Sequence, residues 1–150
     1  MTIEEMLERD GHLAYTNKGV SMMPLLREDR DLMLINKRGP ERCRRLDAVL
    51  FRRPGIVGRG AYVMHRIQRV NDDGTYWIMG DNCVTGETVR EEDVLGVLTG
   101  IVRDGKTITV DNQWYRLYVN TWCRWVRLRV AALKFKHFCG RCLRRAGLRK

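Results

Sequence analysis

Short apolar runs, interrupted every few positions by glycine, proline, asparagine or aspartate, dominate the first two thirds of the chain. The runs are rich in valine, isoleucine, leucine and aromatic residues, and they are too short to repeat the apolar face of a helix. They predict a mainly β protein built on a small antiparallel domain. The predicted strands lie within residues 31–37, 47–53, 61–70, 75–80, 94–103 and 107–111.

The first residues follow a helical pattern instead. Thr2 and Glu5 have the spacing of a capping box, and the apolar residues after Thr2 fall on one face of a helix. Gly11 supplies a residue that suits the end of a helix. We therefore predict a short N-terminal helix over residues 2–9, closed by Gly11.

One predicted hairpin joins residues 61–70 to residues 75–81. Its connection, "NDDG", suits a three-residue loop in which Gly74 takes the left-handed conformation and Asn71 faces Thr75. Continued along the strands, this register places His65 opposite Asp81, within reach of its carboxylate. A four-residue loop would instead place Gly80 opposite His65.

The stretch "GVSMMPLL", residues 19–26, holds a single hydroxyl among apolar side chains. A serine becomes a good nucleophile when a nearby base takes its proton and a third group orients that base. Ser21, His65 and Asp81 supply these three parts, and the Ser21 backbone N–H could stabilise an oxyanion. The chemistry needs no cofactor and no metal.

Six segments in order, "GVSMMPLL", "DLMLINK", "LDAVLFRRP", "YVMHRIQRV", "YWIMGDN" and "EDVLGVL", resemble the boxes of the S24/S26 serine peptidases. This group contains the signal peptidases and the self-cleaving SOS-type repressors, and the resemblance covers roughly residues 10–103. It implies a β domain of the signal peptidase and repressor C-terminal type. It also implies Ser21 as nucleophile, His65 as base, as in the histidine-using branch, and Asp81 as the carboxylate. Glu87, six positions after Asp81, matches a further acidic residue of that branch, and its role stays open.

Two features depart from that family. Signal peptidases of this group are anchored by membrane-spanning helices, whereas this chain has no apolar run approaching the ~20 residues of a membrane span. The repressors carry a DNA-binding helix-turn-helix and a cleavable Ala-Gly or Cys-Gly bond before the catalytic serine, and residues 1–20 hold neither. Such bonds do occur later, at Cys139-Gly140 and Ala146-Gly147. A self-cleaving regulator and a peptide-binding module without turnover therefore remain alternatives.

Each site residue also has an ordinary structural interpretation. Ser21 could be a helix N-cap, His65 a hydrogen-bonded core histidine, and Asp81 a turn residue. Taken singly, these interpretations are the better ones. Their joint occurrence, within a set of ordered boxes, favours a catalytic site.

The net charge of +10 divides the chain into two parts. Residues 1–116 carry equal numbers of basic and acidic residues, whereas residues 117–150 carry ten lysines and arginines and no acid. We therefore predict a peptidase-like domain over 1–116 and a basic, aromatic-rich helical tail over 117–150. The acidic N-terminus lacks the pattern of a secretory signal, and an odd number of cysteines, five, favours reduced thiols. We expect a cytoplasmic protein.

Apolar residues of the tail form one helical stripe, with Arg129 and Lys136 at its edge. The stripe consists of Val119, Trp122, Val126, Val130 and Leu133. Such a helix could pack on the β domain, but the tryptophans and unopposed basic residues favour contact with an anionic membrane surface. Nucleic acid is a third partner class, without a reading motif to support it.

The tail also holds a weak metal-binding pattern. His137, Cys139 and Cys142 lie close in sequence, but a single CxxC is poor support for a zinc site. We therefore predict reduced cysteines and no metal. The complete prediction is a cytoplasmic serine endopeptidase, peripheral on the inner membrane, that cleaves extended peptide or protein substrates by a Ser-His-Asp mechanism.

Overall fold

A computed structural model describes residues 2–16, 18–58 and 60–145 of the chain. Eight strands and three α-helices lie within those ranges. They are α1 (Ile3–Asp10), β1 (His12–Thr16), β2 (Leu32–Lys37), β3 (Ala48–Arg52), β4 (Tyr62–Val70), β5 (Tyr76–Met79), β6 (Glu87–Val89), β7 (Val94–Arg103), β8 (Lys106–Thr109), α2 (Gln113–Tyr118) and α3 (Val126–Arg145). The protein is a mainly antiparallel β domain with a few helices, as the apolar runs predict.

The eight described strands form one antiparallel sheet in the order β1-β2-β7-β3-β4-β5-β6, with β8 paired to β7. The predicted strands are confirmed within one or two residues at most ends. The strands β1 and β6 are additional to the prediction, and both lie at sheet edges.

Both faces of the central strand β3 are buried. Ala48 and Leu50 belong to one apolar cluster, which also contains α1 and β2 side chains, while Val49 and Phe51 belong to a second cluster. Because successive strand residues point to opposite faces, β3 separates the two clusters. This position explains its continuous apolar sequence.

The helix α1 forms for the reason that its sequence suggests. The Thr2 hydroxyl accepts from the Glu5 backbone N–H at 3.2 Å, and the Glu5 carboxylate accepts from the Thr2 backbone N–H at 2.8 Å. Gly11 ends the helix at a φ of 72°, in the left-handed region. The capping-box prediction is confirmed.

The β4–β5 hairpin confirms the predicted loop and corrects the predicted register. The Asn71 N–H donates to the Thr75 carbonyl at 2.8 Å, as a three-residue loop requires. Between Ile67 and Arg69, however, the ladder contains a bulge, and Arg66 pairs with Met79. An extra residue on one strand shifts everything beyond it by one position. The prediction that His65 lies opposite Asp81 is therefore wrong.

The tail begins on the β domain. The helix α2 is followed by a π-helical turn, Val119–Cys123, and then by α3. The five residues of the predicted apolar stripe are all half-buried or buried, but they lie on two helical segments rather than on one continuous helix. The sequence predicts that Arg129 lies at the edge of this stripe with its charged group in solvent. This prediction is wrong, because Arg129 is only 2% exposed.

Arg129 is buried against the β domain, where it contacts two residues. One guanidinium nitrogen lies 3.2 Å from the Met79 sulfur, and another lies 3.6 Å from the Asp81 carboxylate. Lys136, the other cation predicted at the stripe's edge, is exposed. None of the described helices has the length and apolar character needed to cross a bilayer.

Candidate active site

A cleft of about 760 Å³ opens beside the start of β4. Ser21 and His65 both line it, so the structure brings together two of the three residues that the sequence selects. Cys83 and Arg53 line it as well. Its apolar wall is formed by Met33, Leu50, Val63 and Met64.

Ser21 is positioned by the loop that follows β5. The Asn82 backbone N–H donates to the Ser21 carbonyl at 2.8 Å, and the Asn82 side-chain amide donates to the Val20 carbonyl at 3.1 Å. The "GVS" and "GDN" segments, 61 positions apart in sequence, are thus joined by two hydrogen bonds. They hold the serine at the edge of the cleft.

Gly80 lies where three groups of the site converge. A Cβ atom at this position would lie 2.6 Å from the Ser21 carbonyl oxygen, 2.7 Å from the Cys83 sulfur and 3.0 Å from His65 Nε2. These distances are too short for any side chain without backbone movement. A glycine at this position lets the Ser21 segment and the His65 ring approach each other.

His65 lies in the middle of β4 and is 7% exposed. It pairs with Val49 of β3, and its ring centroid lies 6.1 Å from that of Phe51. Burial lowers the pKa of His65 below the ordinary 6.5, although the nearby Glu87 charge opposes this shift. The imidazole is therefore neutral at pH 7, the form that a general base requires.

Glu87, at the start of β6, is the carboxylate nearest to the histidine ring. Its Oε1 lies 3.7 Å from His65 Nδ1, which is longer than a hydrogen bond, and the two groups form an ion pair only when the ring is protonated. Arg53 donates from Nε to the same carboxylate at 2.9 Å and holds it with a second contact. With Glu87 on the Nδ1 side, the Nε2 atom is left facing Gly80, which also lies beside the Ser21 carbonyl.

Asp81 occupies a different environment, on the side of the sheet that the tail covers. The Arg66 guanidinium donates to it at 2.9 Å and 2.8 Å, and neither side chain is exposed. Tyr118 donates to it at 2.9 Å, and the Trp122 indole donates to its backbone carbonyl at 3.2 Å. Burial and the Asp81 charge raise the pKa of Tyr118, so its hydroxyl stays protonated.

The structure therefore brings Ser21 and His65 to the cleft, with Glu87 beside the His65 ring, and leaves the Asp81 side chain with the arginines. The bulge at residue 68 is the physical reason that Asp81 does not face His65, because it shifts the pairing of the two strands beyond it by one residue. Among the described residues, no hydrogen bond joins the Ser21 hydroxyl to His65. The approach of the two segments at Gly80 places them at one wall of the same cleft.

Two further residues of the cleft, Arg53 and Cys83, are not predicted from the sequence. Arg53 follows β3 in a loop, and only its contact with Glu87 in the structure connects it to the site. Cys83 follows Asp81 by two residues, and burial raises the pKa of its thiol. A protonated thiol is a weak nucleophile, so burial does not activate Cys83. Within the described ranges, no group of histidine, cysteine and acidic side chains could hold a metal ion.

Comparison with known proteins leaves the site to be interpreted from its own geometry. No protein-family model, no curated protein and no solved structure matches the chain.

Proposed function

We propose that the protein is a serine endopeptidase in which Ser21 is the nucleophile, His65 the general base and Glu87 the group that orients the base. The observation that carries this proposal is the placement of His65 between two partners. Glu87 lies at Nδ1, and Gly80, which contacts the Ser21 carbonyl, lies at Nε2. A serine, a buried neutral histidine and a carboxylate in this order have the parts of a nucleophilic hydrolase.

In the proposed reaction, the Ser21 hydroxyl oxygen attacks the carbonyl carbon of a substrate peptide bond. Its proton passes to His65 Nε2, while the developing imidazolium is stabilised by Glu87. His65 then gives the proton to the leaving amine, and the acyl group stays on Ser21. A water molecule, deprotonated by His65, hydrolyses the ester and regenerates the serine. We assign the backbone N–H of Ser21 to the oxyanion.

Glu87 replaces Asp81 in this proposal. A buried carboxylate that already binds two arginines and a tyrosine has little capacity left for a histidine. Asp81 acts instead as a positioning residue, because its loop carries both Gly80 and Asn82. The resemblance to the histidine-using branch leaves the role of Glu87 open, and the geometry supports a catalytic one.

We further propose that the fold is of the signal peptidase and SOS-repressor C-terminal type. Five of the six ordered segments carry strands of the sheet, and the sixth, with Ser21, meets the His65 strand at one cleft beside Gly80. Substrates would then be extended peptides, bound by strand addition, with small side chains next to the cleaved bond.

The proposed setting is the cytoplasm, where the enzyme would remove leaders from small peptides made in the same cell. All five cysteines are free thiols in the structure, as expected in a reducing compartment. The proposal fails if deletion of the gene leaves the peptide products of the cell unchanged.

A peptide-binding module without turnover is the second candidate, and one observation favours it. No hydrogen bond connects the Ser21 hydroxyl with His65 in the part of the chain that the structure describes. Self-cleavage receives less support, because Cys139-Gly140 lies inside the helix α3, where the backbone is not extended. Ala146-Gly147 lies outside the described residues.

Mass spectrometry of a diverse peptide library separates these candidates. The library is incubated with the wild type, with Ser21→Ala and with Cys83→Ala as a control that removes the other cleft nucleophile. We expect cleavage by the wild type and Cys83→Ala, and none by Ser21→Ala. Equal product from the wild type and Ser21→Ala would exclude Ser21 as the nucleophile. Peptide binding by both proteins without cleavage would support the binding module.

A further inference from the structure

The helix α3 has two apolar sides, and the described part of the chain covers only one of them. Arg129 and Leu133, on its inner side, are 2% and 4% exposed, and Arg129 contacts the β domain. On the opposite side, Leu128, Phe135 and Phe138 are 63%, 69% and 56% exposed. Large apolar side chains are seldom left in solvent as a contiguous group without a partner.

The outer residues form one continuous strip along the helix. Positions three, four and seven apart lie on one face, so Leu128, Ala131, Phe135, Phe138 and Cys142 are neighbours in that order. All of them are exposed. This strip, which we call the outer face of α3, is separate from the stripe that packs on the domain.

Basic side chains border the outer face. Arg127, Lys134 and Arg141 repeat every seven residues along one of its sides, and Lys136 lies on the other. All four are exposed. No acidic residue follows Asp111, so nothing on α3 neutralises them.

We propose that the outer face of α3 binds the surface of an anionic lipid bilayer, with the helix lying in the plane of the interface. The exposed phenylalanines would enter the boundary between headgroups and acyl chains, while the bordering cations contact anionic headgroups. The exposed indole of Trp125, directly before α3, suits the same depth. The proposal does not depend on the peptidase activity.

Charge and shape favour a membrane over two other occupants. A second copy of the chain, packed face to face, would bring two sets of unneutralised cations together. A nucleic acid would satisfy the cations, but its phosphates would leave the phenylalanine strip uncovered. An anionic bilayer is the partner that matches both the apolar strip and its basic borders.

Vesicle flotation with the full chain tests the proposal directly. The vesicles contain phosphatidylcholine alone or with phosphatidylglycerol. We expect binding to the anionic vesicles, weakened by added salt and reduced about tenfold or more in a Phe135→Ser, Phe138→Ser double variant. The matched control is Ile56→Ser with Val57→Ser, which removes two exposed apolar side chains from a loop outside the tail.

Further arms distinguish the other outcomes. Circular dichroism checks that the variants keep their helix, and Leu128→Gln gives a second, single test of the same face. Ser21→Ala should bind vesicles like the wild type, which separates this proposal from the proposed enzyme. Equal binding to neutral and anionic vesicles, an unaffected phenylalanine variant, or equal loss in the loop control would overturn the proposal. So would a dimer that only the phenylalanine variant disrupts, or tighter binding to a short DNA duplex that the variant retains.

Discussion

Two carboxylates six residues apart, Asp81 and Glu87, lie in contrasting surroundings. Asp81 is fully buried and bound by Arg66, with Arg129 nearby. The Glu87 side chain is about one third exposed and lies between Arg53 and His65. The comparison teaches that the carboxylate that a sequence pattern assigns to a histidine need not be the one that lies beside it in the structure. Asp81 joins the tail to the sheet, and Glu87 lies beside the His65 ring.

The largest effect should come from removing the charge of Asp81. Asp81→Asn leaves two buried guanidinium groups without their counter-ion, so we expect the free energy of unfolding to fall by about 3–5 kcal/mol. Urea denaturation followed by circular dichroism measures the change. Asp72→Asn, at an exposed turn position, is the control and should stay within about 0.5 kcal/mol. A small loss for Asp81→Asn would show that Asp81 is not a structural anchor.

Glu87→Gln should have the opposite profile. We expect kcat/KM to fall about tenfold to a hundredfold, because the histidine loses the charge that orients it and stabilises its protonated form. The free energy of unfolding should fall by no more than about 1 kcal/mol, since the partly exposed Arg53 pair contributes little. Kinetics on a peptide from the library and a urea titration give both numbers. Full activity in this variant would return the catalytic role to Asp81.

Within the buried cluster, the two arginines should not be equivalent. Arg129 Nε and Nη1 make no hydrogen bond with the described residues, whereas Arg66 binds Asp81 with two nitrogens. We therefore expect Arg129→Met to change the free energy of unfolding by about 1 kcal/mol or less, and Arg66→Met to cost about 3–5 kcal/mol. Equal losses in the two variants would show that the tail contributes as much to the cluster as the sheet does.

The smallest effect concerns pH. His65 must be neutral to act as a base, and burial lowers its pKa, so activity should be lost only as the pH falls below 6.5. Arg53→Gln removes a positive charge that lowers the pKa of His65 and should move this acid limb to higher pH. Glu87→Gln removes a charge that raises it and should move the limb to lower pH. The pH dependence of kcat/KM measures both shifts, and shifts in the same direction would contradict the assignment.

Local patterns explain most of what the sequence predicts correctly. The capping box at Thr2, the central strands and the loop at Gly74 depend on neighbouring residues, and all three are confirmed. The short edge strands β1 and β6 escape prediction, because their burial patterns show no regular alternation. The strand β6, only three residues long, carries Glu87.

The site is harder to predict from the sequence than the sheet, because it depends on contacts between distant parts of the chain. The ordered segments predict that Ser21 and His65 share one site, and both line the same cleft. The bulge beside Gln68 leaves no mark in an alternating pattern, and it moves Asp81 out of register with His65. The burial of Arg129 likewise depends on Asp81 and Met79, which come from a distant part of the chain.

The most direct test is the pKa of His65, measured by NMR titration of its ring in the wild type, Glu87→Gln and Asp81→Asn. The chain has three histidines, so His65→Gln assigns the signal. We expect a pKa below 6.5 in the wild type, lowered further and most strongly by Glu87→Gln. A larger shift in folded Asp81→Asn than in Glu87→Gln would contradict the pairing of His65 with Glu87, and with it the proposed catalytic group.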